Sequence, residues 1–144
     1  MPSVVVASGY VKLNGVAVRQ SSWPQHRGLN ILLIDPFTCS VQEARHFDTY
    51  ISAAAAVNCS RYLQQVSNGR VIVGVTNDES TLNLAYALST LQEIGVNVRD
   101  VQLRGTFVFI AQKGYPAKTV IRKVLTHEEA QLHPAQVTAT ITGI

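Results

Sequence analysis

At Ser52 the apolar residues of this chain change period, and that switch most limits what it can fold into. Upstream, "LNILLID" (29–35) reads as a buried strand and "SVQEARHFD" (40–48) alternates as an antiparallel partner would. From Ser52, "SAAAAVNCSRYLQQVS" places apolar side chains at 55, 56, 59, 62, 63 and 66, a helical stripe with Ser52 as its N-cap. Asn68-Gly69 ends that helix, and "RVIVGVT" (70–76) returns to strand with β-branched residues. A chain that interleaves sheet and helix in this way needs both layers to bury its apolar faces.

The remaining elements follow from the same signals. "YVKLNGVAV" (10–18) is a hairpin, with Asn14-Gly15 as a type I′ turn. "NDES" (77–80) offers caps to a second helix whose Leu84, Leu88 and Leu91 lie at i, i+4 and i+7, with Gly95 past its end. "TFVFIA" (106–111) is an uninterrupted strand carrying Phe107 and Phe109. "KTVIRKVL" (118–125) and "AQVTATITG" (135–143) complete the tail, with a polar stretch between them. The prediction is an α+β fold of about seven strands in mixed or antiparallel sheets, with two helices able to support local βαβ units. The 144 residues, 47% hydrophobic and 15% charged, suit one domain over 1–144 with a real core and argue against disorder.

Composition also excludes function classes. The longest apolar runs, "VVVA", "ILLI" and "AAAAV", fall far short of the ~20 residues that span a bilayer, so no membrane insertion is expected. "MPSVVVASG" lacks a basic n-region and a full h-region, so no signal peptide is read there and a secreted protein would be in its mature form. A net charge of +3 invites a nucleic-acid reading, but the basic residues are scattered from Lys12 to Lys123 without an aromatic-rich basic motif. Nucleic acid is therefore not the expected partner.

No GxSxG, HExxH, P-loop or GxGxxG is present, and the four histidines have no ligand or triad spacing. The expectation is no enzyme, no metal and no cofactor. Cys39 and Cys59 leave three states open: a bridge within the chain, a bridge between chains, or thiols. The intrachain bridge is favoured; it would close a loop of about twenty residues and contribute ~3 kcal/mol. The sequon Asn58-Cys59-Ser60 is compatible with an extracellular protein.

Three segments combine polar residues with strand ends: "HRGL" with Arg27, "TNDES" with Asn77 and Asp78, and "LRGTF" with Arg104. Read singly, each arginine is a surface side chain packing its stem, and the Asx pair is a helix cap. Taken in order, however, "HRGLNIL", "FDTY", "GRVIVGV", "EIG" and "RGTFVFIAQKG" resemble the interleukin-like EMT inducer family. The resemblance runs from about Gly9 to Gly114 and is slighter over 115–144. It implies a β-sandwich-type domain of that family.

Members of this family include secreted cytokine-like proteins, domains of hyaluronan-processing proteins, and the glycan-binding stem domain of a glycosyltransferase. By position, the stem domain's sugar-contacting residues fall on Arg27, on Asn77 or Asp78, and on Arg104. Gly105 stands where the family has Asp, and Phe107 where it has Trp; the cytokine-like cysteine framework is not reproduced. The resemblance implies a non-catalytic, secreted lectin for cell-surface glycans; a site that buries little area would bind weakly, so a multivalent homo-oligomer is expected. Galactose-type glycans are expected by analogy with small lectins of sponges and other marine invertebrates. Two guanidinium forks and a carboxylate would satisfy sugar hydroxyls, with Trp23 or Phe107 covering the apolar sugar face. The alternative is a cytokine-like signalling protein that uses a protein surface.

Overall fold

In the computed structural model, which describes residues 3–7, 10–18, 23–133 and 135–140, the chain opens with three short strands. These are β1 (Ser3–Ala7), β2 (Tyr10–Leu13) and β3 (Val16–Ala17). Asn14 and Gly15 take φ of 53° and 80° between the last two, the paired positive values of a type I′ turn. Then come β4 (Gly28–Asp35), β5 (Ser40–Phe47), α1 (Ala53–Gln65) and β6 (Val71–Asn77). A 3₁₀ turn over Leu84–Ala87 leads into α2 (Leu88–Glu93), followed by β7 (Thr106–Gln112), β8 (Val120–Val124), α3 (His127–Leu132) and β9 (Gln136–Thr140).

The strands form two antiparallel sheets, one in the order β3-β2-β1-β9 and one in the order β5-β4-β6-β7-β8. The fold is α+β, as expected, but the βαβ units take a different form. β5 and β6 run parallel on either side of β4, with α1 as their crossover, whereas β6 and β7 are antiparallel neighbours joined through α2.

Three layers result. Leu29, Ile31, Leu33, Ile72, Phe107 and Phe109 point from the five-stranded sheet toward Ala56, Cys59 and Leu63 of α1 and Leu91 of α2. Their neighbours Leu32, Ile34, Val71, Val73, Val75, Val108 and Ile110 point the other way, onto Val4, Val6, Val11 and Val137 of the smaller sheet. Burial on both faces explains why β4, β6 and β7 read as continuous apolar runs rather than alternating ones. Ser52 caps α1 as expected, its Oγ accepting from the Ala55 N–H at 3.1 Å.

The bridge expected between Cys39 and Cys59 is absent; both are thiols. Cys39 sits on the β4–β5 turn, where its Sγ accepts from Asn14 Nδ2 of the β2–β3 hairpin at 3.7 Å. Cys59 is fully buried in the helix-side core, and burial pushes its thiol pKa up to about 12. The thiolate is the reactive form, so native protein should lose one thiol per chain to a thiol reagent, and unfolded protein two. Two reactive thiols in the native state would contradict this burial.

Gly74 makes room for Phe109, one of the two phenylalanines of the helix-side core. A Cβ there would lie 2.0 Å from Phe109 Cε2. Gly74→Ala should therefore cost ~1–3 kcal/mol in urea unfolding, the range for overpacking a core.

Candidate functional site

Alternating strand directions bring separate segments to one edge of the larger sheet. Gly28 pairs with Asn77, and Leu29 pairs with both Phe47 and Thr76, so the start of β4 meets the ends of β5 and β6. β7 runs antiparallel to β6 and therefore begins at the same edge. Arg27, Asp48, Asp78 and Arg104 all flank these ends, although they are far apart in sequence.

Gly28 sets the first wall. Its φ is +100°, and a Cβ would lie 2.2 Å from the Phe47 carbonyl oxygen and 2.9 Å from Asp48 Cα. Without a side chain there, the start of β4 can press against residues 47–49, which brings Arg27 onto Asp48. Arg27 Nε donates to both carboxylate oxygens at 3.1 Å, and Nη2 donates to Oδ2 at 2.8 Å. Asp48 Oδ1 also accepts from the Ile51 N–H at 3.1 Å. These bonds, led by that of Arg27, hold the Asp48 carboxyl below its usual range and raise Arg27 further. The guanidinium lies over Tyr50, 4.7 Å from the ring centroid.

The second wall comes from the turn after β6 and the segment just before β7. Asp78 and Arg104 both adopt left-handed backbone, with φ of 57° and 65°. That region is tolerable for Asp but costly for a long side chain such as Arg. A hydrogen-bonded chain holds the strained arginine in place: its N–H donates to Thr81 Oγ1 at 3.0 Å, and that hydroxyl donates to Glu79 Oε1 at 2.6 Å. The two walls are stitched together by Thr49 Oγ1 donating to the Ser80 carbonyl at 2.6 Å and by Asn83 Nδ2 donating to the Tyr50 carbonyl at 2.8 Å.

Between the walls lies a recess of about 240 Å³ lined by Arg27, Tyr50, Asp78, Glu79, Arg104 and His127, the last from α3. It is smaller than a drug-sized pocket and is mostly polar. Donors stand on two sides and an exposed carboxylate on a third, so the arrangement fits a small molecule rich in hydroxyls. Among the described residues, no group of acidic, histidine or cysteine side chains could hold a metal ion.

The structure thus brings together Arg27, Asp78 and Arg104 from the residues the sequence singled out. Asn77 stands outside the recess: its Nδ2 donates to the Gln25 carbonyl at 2.7 Å and ties down the loop before Arg27. Nor do residues 77–80 cap α2, which starts only after the 3₁₀ turn. The aromatic residues need correction. Trp23 is 4% exposed between the two sheets, its Nε1 donating to the Arg45 carbonyl at 3.0 Å, and Phe107 is fully buried under α1 and α2. Neither can cover a ligand; Tyr50 is the aromatic in the lining.

Asp48 and Tyr50 were missed although they flank Thr49 in "FDTY", because nothing in that tetrapeptide says which side chain turns outward. Glu79 and Thr81 matter through the Arg104 backbone, a link that appears only once the fold is formed. His127 arrives from an element more than twenty positions further along the chain than Arg104.

Residues 27–115 match the family described as interleukin-like EMT inducer, a stretch that contains every lining residue of the recess except His127. The chain is also similar to the human and mouse cell migration-inducing and hyaluronan-binding proteins. Each is 31% identical over 103 residues, which is 70% of this chain and 8% of the relative. It therefore spans less than a tenth of the length of these curated relatives. With the family match covering well over half its length, the chain belongs to the interleukin-like EMT inducer family.

Proposed function

We propose that this domain is a non-catalytic, secreted glycan-binding protein that holds one sugar between Arg27, Asp78 and Arg104. The observation that carries this reading is their convergence on one recess, with Asp78 and Arg104 on left-handed backbone. Backbone strain of this kind persists where the surrounding structure enforces it, and such positions cluster at ligand sites. The relatives named as hyaluronan-binding support a glycan as the ligand class. Galactose-type ends are the first sugars to test, by the lectin analogy.

The carboxylates argue against hydrolysis. Asp48 is committed to Arg27 and Glu79 to Thr81, which leaves Asp78 without the second carboxylate that glycoside cleavage needs. A recess this small binds weakly on its own, so useful avidity calls for several sites on one particle, and hence a homo-oligomer. No helix among the described residues is long and apolar enough to cross a membrane.

One observation favours the second reading, a protein partner. Ile51, Leu82 and Leu103 are 65%, 57% and 62% exposed, and each adjoins a residue of the site in sequence. A dense glycan array separates the readings. Specific binding that is lost in Arg104→Ala and Asp78→Ala supports the lectin; absence of binding to every glycan class overturns it.

Arg104→Gly adds an independent check. Glycine relieves the positive φ, so this variant should lose glycan binding while its unfolding free energy stays equal or rises by about 0.5–1 kcal/mol. A residue kept for stability would show the opposite sign.

A further inference from the structure

A second feature of the surface stands apart from the recess. Two cavities of about 450 and 530 Å³ share Arg45, Tyr62 and Gln65 and so form one groove between α1 and β5, the edge strand of the larger sheet. By the rise per residue, the groove follows α1 for roughly 10 Å from Asn58 to Gln65. That length suits an extended ligand rather than a single ring.

The charges in the groove are unevenly paired. Its two carboxylates are already used: Glu43 accepts from Tyr62 OH at 2.5 Å and from Arg45 Nη2 at 3.4 Å, and Asp48 is held by Arg27. The Tyr62 hydroxyl, ahead of Arg45, keeps Glu43 ionised below the usual carboxylate range, so this internal pairing persists at neutral pH. Arg61 and Arg70, in contrast, have no carboxylate partner among the described residues. The same groove is lined by the side-chain amides of Asn58, Gln65 and Gln42, which both donate and accept hydrogen bonds as sugar hydroxyls require.

We propose that the groove between α1 and β5 binds the anionic groups of an extended glycan, with Arg61 and Arg70 recognising the charge. Nucleic acid is the competing polyanion, and the groove suits it less. Single strands are held by bases stacked on open aromatic faces, whereas Tyr62 carries Arg45 5.2 Å from its ring centroid and packs on Phe47. Carboxylate and sulfate share the chemistry that an arginine fork reads, so both sources need testing. The inference stands without the sugar recess, because its residues and its ligand charge are different.

The experiment measures binding of a hyaluronan oligosaccharide (carboxylate only), a heparin oligosaccharide (sulfate and carboxylate) and a neutral chitin oligosaccharide by titration calorimetry at low salt. At least one anionic probe should bind with an affinity that weakens as salt rises, while any binding of the neutral probe should be insensitive to salt and to the groove variants. Arg61→Glu with Arg70→Glu should cost tenfold or more, while Arg61→Gln with Arg70→Gln should cost less but in the same direction. Arg122→Glu on β8 makes a charge reversal outside the groove and should change binding twofold at most, and Arg104→Ala should leave it intact. The proposal is overturned if neither anionic probe binds, or if the groove variants lose no more than Arg122→Glu does. It also fails if Arg104→Ala abolishes anionic binding, or if single-stranded DNA displaces the oligosaccharide at equal charge. Circular dichroism of each variant confirms that the fold is retained.

Discussion

Both faces of β4, β6 and β7 have to be kept from water, and the rest of the architecture follows from that requirement. A helix layer alone would leave Leu32, Val73 and Val108 exposed; a second sheet alone would expose Ile31, Ile72 and Phe109. Each such side chain is worth about 1.5–3 kcal/mol when fully buried, so neither cover is dispensable. The chain supplies its N-terminal strands and β9 for one face and the helices after β5 and β6 for the other. Because the central strands are antiparallel neighbours, the connections needed for this double covering return repeatedly to the same edge, and the loops meet there.

That edge is where local strain is tolerated. Arg104 and Asp78 are held in left-handed backbone by neighbours that are themselves hydrogen-bonded into the sheet ends: Glu79 through Thr81, and Ser80 through Thr49. Gly28 contributes differently, by having no side chain where one would strike the Phe47 carbonyl. The Arg27–Asp48 pair is therefore a consequence of backbone approach as much as of charge. With side chains 39% and 31% exposed, it owes more to geometry than to stabilisation, since such surface pairs contribute little.

How much of this was legible depended on whether a signal was local. The Asn14-Gly15 turn and the Ser52 cap rest on neighbouring residues and form as expected. The strands expected over 29–35 and 70–76 form within a residue of those bounds, as Gly28–Asp35 and Val71–Asn77. β1 passed as a short apolar run, since a four-residue stretch does not announce its partners β2 and β9. α3 shows in the sequence only as a polar stretch, because it buries no residue and so carries no apolar stripe. Its Thr126-x-x-Glu129 capping box was nevertheless present, with the Glu129 N–H donating to Thr126 Oγ1. Trp23 and Phe107 illustrate the opposite failure: an aromatic suited to stacking on sugar is equally suited to a core, and only the assembled layers decide between them. Resemblance points to Arg27, Asp78 and Arg104 together, but not to which of Asn77 and Asp78 faces the recess; Asn77 is turned away by its bond to the Gln25 carbonyl.

The balance of charge distinguishes the recess from the groove. Around the recess, Arg27 and Arg104 are set against Asp48, Asp78 and Glu79, two cations to three carboxylates, so an anionic ligand would find no net attraction there. The glycan binding proposed for the recess would therefore rest on hydrogen bonds to neutral hydroxyls. In the groove, Arg45, Arg61 and Arg70 are set against Glu43 and Asp48, both already paired. Asp48 borders the groove while its partner Arg27 lines the recess, so the two surfaces are separated by one ion pair. If both proposals hold, a glycan with a neutral end and an anionic body has the chemistry to engage both on one protomer. The second contact would then form at high effective concentration, and avidity would not depend on oligomerisation alone.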